Sequence, residues 1–404
     1  MTFLENRVER IVIRKTHPKF KLIDAMCFNS KNLYNEANYE LRQQFIKTGK
    51  HMSYREMNFE YKTHENYKSC FSQPANCTIR LLHKNWKSFE VATKDYEKHP
   101  EKYLGRPKIP KYLDLNGRFP WMIPNNTCYY DYEKSEIRFR LRVLQDFHWE
   151  SRCLGRLIQV RFVPKGTCYV MEAVYEVEVP DVEECVGERI AAIDLGVNNL
   201  MTITNNIGQR PIIVSGKVLK SINQFYNKRI SEMQSDLINR NGEWWSKRMH
   251  TIAFKRQNRI RDYMHKSSLF VVKWCVENGI DTLVVGKNKS WKQKQFGMQN
   301  FKYIPYDTLL HQLQYKCQDA GICYIEIDEP YTSGTSFLDG EPAEKDFYDA
   351  SRRIKRGLFQ SSKGWINADV NGSLQIMTKV FPNAFRYGIE VDLTPAVINV
   401  VRAT

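Results

Sequence analysis

The sequence predicts a multidomain α+β chain that ends in an α/β domain, on three observations. The chain has 404 residues, more than one hydrophobic core usually serves. Hydrophobic residues make up 42% and aromatic residues 13%, enough to fill several cores and to exclude a disordered chain. Patterning is also segregated: helical spacing dominates 18–103, β-type patterning dominates 127–180 after a breaker-rich boundary, and strands alternate with helices from 187 onward.

The elements follow in order. RVERIVIRK, residues 7–15, alternates charged and apolar side chains and predicts a strand within segment 1–16. KFKLIDAMCFNSKNLYNEANYELRQQFIK and QPANCTIRLLHKNWKSFEVATKDYEK place apolar and aromatic residues at helical spacing. GRPKIPKYLDLNGRFPWMIPNN, residues 105–126, breaks the pattern with four prolines and two glycines. IRFRLRV, GRLIQVRFVP and TCYVMEAVYEVEV are β-branched and aromatic runs separated by turns, which predicts a small barrel or sandwich. Next, ERIAAIDLG, NNLMTITNN and QRPIIVSG read as three consecutive strands, 217–278 as a long helical region, and DTLVVG as a fourth strand. IPYDTLLHQLQYKCQDAG is a helix closed by Gly321, and ICYIEIDE a fifth strand. A polar, glycine-containing segment fills 332–364, and INADVNGSLQIMTKVF, in 365–404, is the last helix.

The net charge is +16 with a pI near 9.3, which points to a polyanionic partner, nucleic acid first. A membrane surface is the competitor, but neither an amphipathic basic helix nor a lipid-anchor motif is evident. No run of about 18 apolar residues occurs, and MTFLENRVERIVIRK lacks the apolar core of a signal peptide. The ten cysteines carry no CxxC pair, which predicts reduced thiols in a cytoplasmic protein and offers no zinc spacing.

Carboxylates sit where the predicted strands end. Asp194 closes the first strand of the α/β region, in AAIDLGVNN, and Asp369 opens the last helix, in NADVNG. Asp328 and Glu329 close the fifth strand, two and three positions after Glu326. Each has an ordinary explanation alone: a turn aspartate, an acid complementing a helix N-terminus, an exposed edge strand. Together they are costly unless cations neutralise them, and hard oxygen ligands suit Mg²⁺ or Mn²⁺. Two such ions about 4 Å apart can activate water and stabilise a leaving oxygen in phosphodiester hydrolysis, which makes a basic chain a nuclease candidate.

The text AAIDLGVNNLMTITNN, RQNRIRDYMHKSSLFVVKW, VVGKNKSWKQ, YKCQDAGICYIEIDEPYTS, FLDGE, RRIKRGLF and INADVNGSLQIM, in this order, resembles the OrfB/TnpB proteins of insertion sequences, relatives of the type V CRISPR effectors. GRPKIPKY and QPANCTIRLLHKNWKSF upstream look like the same family, so the resemblance covers most of the chain. It implies an RNase H-like (RuvC) nuclease domain over 187–331 and 365–404. It also implies a wedge-type β-barrel from 1–16 and 105–186, and an inserted helical recognition domain over 17–104. The implied activity is Mg²⁺-dependent, RNA-guided endonuclease cleavage of double-stranded DNA beside a short flanking motif, with base pairing to a structured guide RNA reading the sequence.

Two departures from the family text bear on the site. Family members carry a glutamate after the fourth strand, where this chain has Gly286. Some relatives instead place it just before YTS, which is Glu329 here. An acid ending strand five lies about two strand spacings, roughly 10 Å, from Asp194, within reach of a glutamate. The resemblance therefore implies Asp194, Glu329 and Asp369 as catalytic, metal-binding residues for two ions, with Asp328 in reserve. The second departure is the zinc ribbon: Ser336 and Asp339 stand where its first CxxC would fall, so 332–364 is expected to be a ribbon-like insert without zinc.

Basic stretches supply candidate nucleic-acid contacts, each equally readable as a solvated surface run. They are Lys287, Lys289, Trp291, Lys292 and Lys294 in KNKSWKQK, then Arg352, Arg353, Lys355 and Arg356 in RRIKR. Lys255, Arg256 and Arg259 lie in a basic helix, and Asn76, Arg80 and Lys84 share a helix face suited to the flanking motif. The alternative function is a nuclease-inactive RNA-guided DNA-binding protein acting as a repressor. A guide-free structure-selective nuclease is disfavoured by the large basic region before residue 187.

Overall fold

A computed structural model describes residues 2–153, 155–180, 185–287, 304–355, 357–385 and 393–400. They divide into two compact units, 4–178 and 179–404.

The first unit is helices and antiparallel sheets. β1 (Thr2–Ile13) precedes α1 (Phe20–Thr48), α2 (Tyr54–Tyr61), α3 (Glu65–Ser69) and α4 (Ser72–Lys98). α2 starts where the sequence supplies a capping box, Ser53 and Glu56 each bonding the other's backbone. The apolar faces of α1 and α4 enclose Leu33, Leu41, Ile79, Leu82 and Trp86. β2 (Trp121–Pro124), β3 (Cys128–Asp131), β4 (Glu136–Phe139), β5 (His148–Glu150), β6 (Arg156–Pro164) and β7 (Tyr169–Pro180) follow. With β1 they form sheets of order β1-β7-β6-β2 and β3-β4-β5, and Trp121, Phe139 and Phe162 belong to the core they share with α1.

The second unit is one mixed sheet with helices. β8 (Ile190–Leu195), β9 (Asn199–Asn205), β10 (Ile212–Ser215), β11 (Thr282–Lys287) and β12 (Cys323–Asp328) match the five expected strands. α5 (Lys217–Asn241) and α6 (Lys247–Glu277) fill the long helical region, split where Gly242 turns left-handed at φ 69° and Ser246 caps the next helix. α7 is Tyr306–Asp319, and α8 Ala368–Val380. A hairpin of β13 (Phe359–Ser361) and β14 (Gly364–Ile366) lies in the polar segment, and β15 (Ala396–Ile398) adds to the far edge, giving sheet order β12-β11-β8-β9-β10-β15. β15 is not foreseen in the sequence: three residues are too short for a periodic signal, and parallel pairing with β10 specifies them.

Cys185 and Cys323 form a disulfide with Cα atoms 5.4 Å apart, which corrects the expectation that all ten cysteines are free thiols. Their separation of 138 residues hides the pair from any spacing argument. Among the described residues, no helix is long and apolar enough to cross a membrane.

Candidate functional site

Strand alternation decides which carboxylates meet. In β8, Ala191, Ile193 and Leu195 join the core shared with α6 and α7, whereas Ile190 and Ala192 join the core beneath α8. Asp194 continues the second series and faces α8 at the carboxyl end of the strand. β11 repeats the rule, with Leu283 and Val285 in the first core, Val284 in the second, and Gly286 next after Val284 on the α8 face. In β12, Ile327 packs beneath α8, and Glu329 continues that face one residue beyond the strand.

Two glycines make the room. A Cβ at Gly286 would stand 2.4 Å from Glu329 Oε1 and 2.7 Å from its Cγ, so the Glu329 side chain fills the volume a residue at 286 would use. A Cβ at Gly372 would lie 3.0 Å from Asp194 Oδ2, so α8 offers this carboxylate bare backbone. Asp369 comes from the first turn of α8, whose cap Asn367 accepts from the Asp369 and Val370 amides at 3.0 and 3.2 Å.

Asp194, Glu329 and Asp369 line one cavity of about 520 Å³, with Tyr306, Lys217 and Arg353. Glu329 Oε1 is buried without a hydrogen-bond partner. Burial, then the charge of Asp328, pushes its pKa up to about 7 against the pull of Lys379. Burial also raises the Asp194 pKa well above the usual range, reinforced by Glu329 and Asp369 and opposed by Arg353. Asp369 is compensated: Arg353 Nη2 donates to Oδ1 at 3.0 Å and Asn199 Nδ2 to Oδ2 at 2.6 Å.

Among the described residues no three His, Cys, Asp or Glu side chains stand close enough to enclose one ion. The acids share a cavity rather than a point, as carboxylates do when they repel one another and one is drawn to an arginine. The donor set nevertheless fits a hard divalent cation. It is all oxygen, it includes an orphaned buried acceptor, and two of its carboxyl groups are held where positive charge is wanting.

Other expected site residues fare differently. Asp328, the reserve ligand, does not line the cavity. Alternation sets it with Tyr324 and Glu326 on the opposite face of β12, which corrects that expectation. Lys287 lies on that face too, bonded to Glu326 at 2.9 Å, and not beside the three acids. Lys289, Trp291, Lys292, Lys294 and Arg356 lie outside the described residues. Arg352 is held in a fork on Glu341 at 2.8 and 2.6 Å, Arg353 turns to Asp369, and Lys355 is exposed. Arg256 donates to Asn223 at 2.8 Å and stacks 4.0 Å from the Tyr226 ring centre, so it joins α6 to α5, while Lys255 and Arg259 are exposed one turn apart.

In the other unit, Asn76, Arg80 and Lys84 do share a face of α4. The Tyr54 hydroxyl donates to Asn76 Oδ1, and the Arg80 guanidinium lies 5.6 Å from the Tyr54 ring centre. Sequence reasoning missed Asn199, which bonds Asp369, and Tyr306, whose hydroxyl donates to Gly196 O at 2.8 Å. The doubled asparagine after Asp194 was the available signal for the first; the second had none.

Residues 172–292 match the family OrfB_IS605, described as a probable transposase, and residues 306–376 match the Cas12f1-like TNB domain. A TnpB-like protein, ORF457 of Acidianus two-tailed virus, is 25% identical over 390 residues, covering 87% of this chain and 81% of the viral protein. The Cas12f1 chain of a cryo-EM complex with sgRNA and target DNA shares the fold at TM-score 0.56 and 15% identity, covering 88% of this chain and 82% of that one. The chain is therefore similar to TnpB-like proteins over most of its length, and it shares the mixed α/β multidomain fold of the Cas12f1 chain.

Proposed function

We propose that this chain is an RNA-guided DNA endonuclease that binds a structured guide RNA, recognises a short flanking motif on double-stranded DNA, and cleaves it with Mg²⁺ or Mn²⁺. On this reading 187–331 and 365–404 form an RNase H-like RuvC domain. Residues 1–16 and 105–186 form the wedge barrel, 17–104 the recognition domain, and 332–364 the insert that meets target nucleic acid. The observation that carries the proposal is Glu329 occupying the side-chain volume of Gly286, in the cavity that also holds Asp194 and Asp369. A site that had merely lost its acid would have no reason to bury a carboxylate oxygen without a partner there.

The proposed roles are as follows. Asp194, Glu329 and Asp369 hold two divalent ions. Bound there, such ions supply an activated water and stabilisation of the leaving oxygen. Arg353 and Asn199 keep Asp369 oriented, and Arg353, 40% exposed, is positioned to meet a phosphate entering the cavity. Lys255, Arg259 and Lys355 offer charge to nucleic-acid backbones, and Asn76, Arg80 and Lys84 are the proposed readers of the flanking motif.

The test is purification with co-expressed RNA, sequencing of that RNA, and cleavage of a matching plasmid with Mg²⁺ beside Asp194→Ala and Glu329→Gln. Cleavage by the wild type and loss of about 10³-fold or more in both variants is expected. Guided binding without cutting by the wild type establishes the repressor alternative. Full cutting by Glu329→Gln removes that residue from the site.

A further inference from the structure

One stripe of α8 grips the segment that carries Glu329. Asn371, Gln375 and Lys379 recur at every fourth position and so lie along one side of the helix. Asn371 Nδ2 donates to Thr335 O at 2.8 Å, and its Oδ1 accepts from Phe337 N at 3.0 Å. Gln375 Nε2 donates to Glu341 O at 3.0 Å. Lys379 Nζ donates to Asp328 O at 3.1 Å and to Pro330 O at 3.3 Å, the carbonyls on either side of Glu329. The helix that presents Asp369 at its start therefore holds, three turns later, the backbone from which Glu329 projects.

We infer that Lys379 is a positioning residue that fixes Glu329 over Gly286. The need for one is physical. Glu329 follows the last residue of an edge strand, so no ladder bond continues past Asp328 to hold it. Its Oε1 is buried without a hydrogen-bond partner, and the charges of Asp194 and Asp328 nearby drive the side chain outward. A two-point ammonium clamp on the flanking carbonyls resists that rotation without consuming a carboxylate oxygen. This inference rests on the proposed divalent-ion site and deepens it by naming what holds the relocated acid.

The experiment is Mn²⁺ binding, followed by titration calorimetry on the full chain with its co-purified RNA, for wild type, Lys379→Met, Lys379→Arg and Glu329→Gln. The sign separates positioning from simple electrostatics. Removing a positive charge near a cation site tightens binding if charge is all that matters. Losing the clamp weakens it, by about tenfold. Weaker binding by Lys379→Met, restored by Lys379→Arg, which keeps the charge and can reach both carbonyls, supports the role. Unchanged or tighter binding by Lys379→Met overturns it, as does weakening that Lys379→Arg fails to restore. A wild type that binds Mn²⁺ no better than Glu329→Gln overturns the site itself, and the inference with it.

Discussion

The two units treat their buried carboxylates in opposite ways. In residues 4–178, Glu172 is 6% exposed and receives Arg10 Nε at 2.7 Å and the Arg161 guanidinium. Asp24 takes a two-point fork from Arg118 at 3.0 and 2.8 Å, which holds its carboxyl below the usual range. In residues 179–404, Asp194 and Glu329 share a cavity, burial raises the proton affinity of both, Glu329 raises that of Asp194 further, and Glu329 Oε1 has no partner. Folding alone favours the first arrangement, since an unpaired buried charge costs several kcal/mol. Buried, unbalanced carboxylates of the second kind cluster at functional sites, and the proposed divalent-ion site draws on that.

Short of removing an acid itself, the largest expected effect comes from closing the gap that lets the second arrangement form. In Gly286→Ala, the new Cβ meets Glu329 Oε1 at 2.4 Å and Ile376 Cδ1 at 2.5 Å, both ends of flexible side chains. The fold accommodates this and Glu329 yields. Cleavage then falls about 100-fold, as expected for a misplacement near 1 Å, while guided DNA binding is retained. A plasmid-cleavage time course beside a gel-shift titration measures both. Wild-type cleavage by Gly286→Ala breaks the link between the missing side chain and the relocated acid.

The next effect concerns stability and has opposite signs in the two units. Glu172→Ala strands two arginines and destabilises by about 2–3 kcal/mol, less than a fully buried pair because both arginines are partly exposed. Glu329→Gln stabilises the metal-free protein at pH 8 by about 2 kcal/mol, because a neutral amide leaves no charge to bury and none to face Asp328. The pH dependence follows with its sign. A carboxyl whose folded pKa is raised from 4.5 to about 7 favours folding below the lower value, and that stability is lost as pH rises through the higher one. Burial and then the charge of Asp328 push in this direction, and Lys379 opposes them. Metal-free wild type therefore melts lower at pH 8 than at pH 5, Mg²⁺ reverses the loss, and Glu329→Gln flattens the curve. Calorimetric scans across that range decide it, and equal slopes in both proteins remove Glu329 as the source.

The same contrast explains what the sequence could disclose. The five strands and the helix closed by Gly321 were legible because each carries its own periodicity or stop signal. Asp194 and Asp369 were legible because the family text around them is local. Glu329 was legible only as an exchange with Gly286, and alternation then chose it over Asp328. What local text could not disclose is pairing between distant residues. The Cys185–Cys323 bridge, the Arg353–Asp369 contact and the Arg352–Glu341 fork all depend on the folded arrangement. Each basic run therefore read as uniformly available, although the structure commits some of its members and presents others.

That division among cations gives the smallest and most discriminating effect. On α6, Arg256 is engaged by Asn223 and Tyr226, while Lys255 and Arg259 stand exposed beside it. If the exposed pair meets phosphates, the double change Lys255→Ala with Arg259→Ala releases two fewer counterions. The slope of log K against log salt then becomes shallower by about 1.4–1.8. Arg256→Ala should leave that slope unchanged and lower the melting temperature, because what it loses is the stack and bond to α5. Filter binding at several salt concentrations separates the two. A slope change for Arg256→Ala as large as for the exposed pair means that the engaged arginine leaves Asn223 when nucleic acid binds, and compensation within the fold then no longer identifies which charges are reserved for structure.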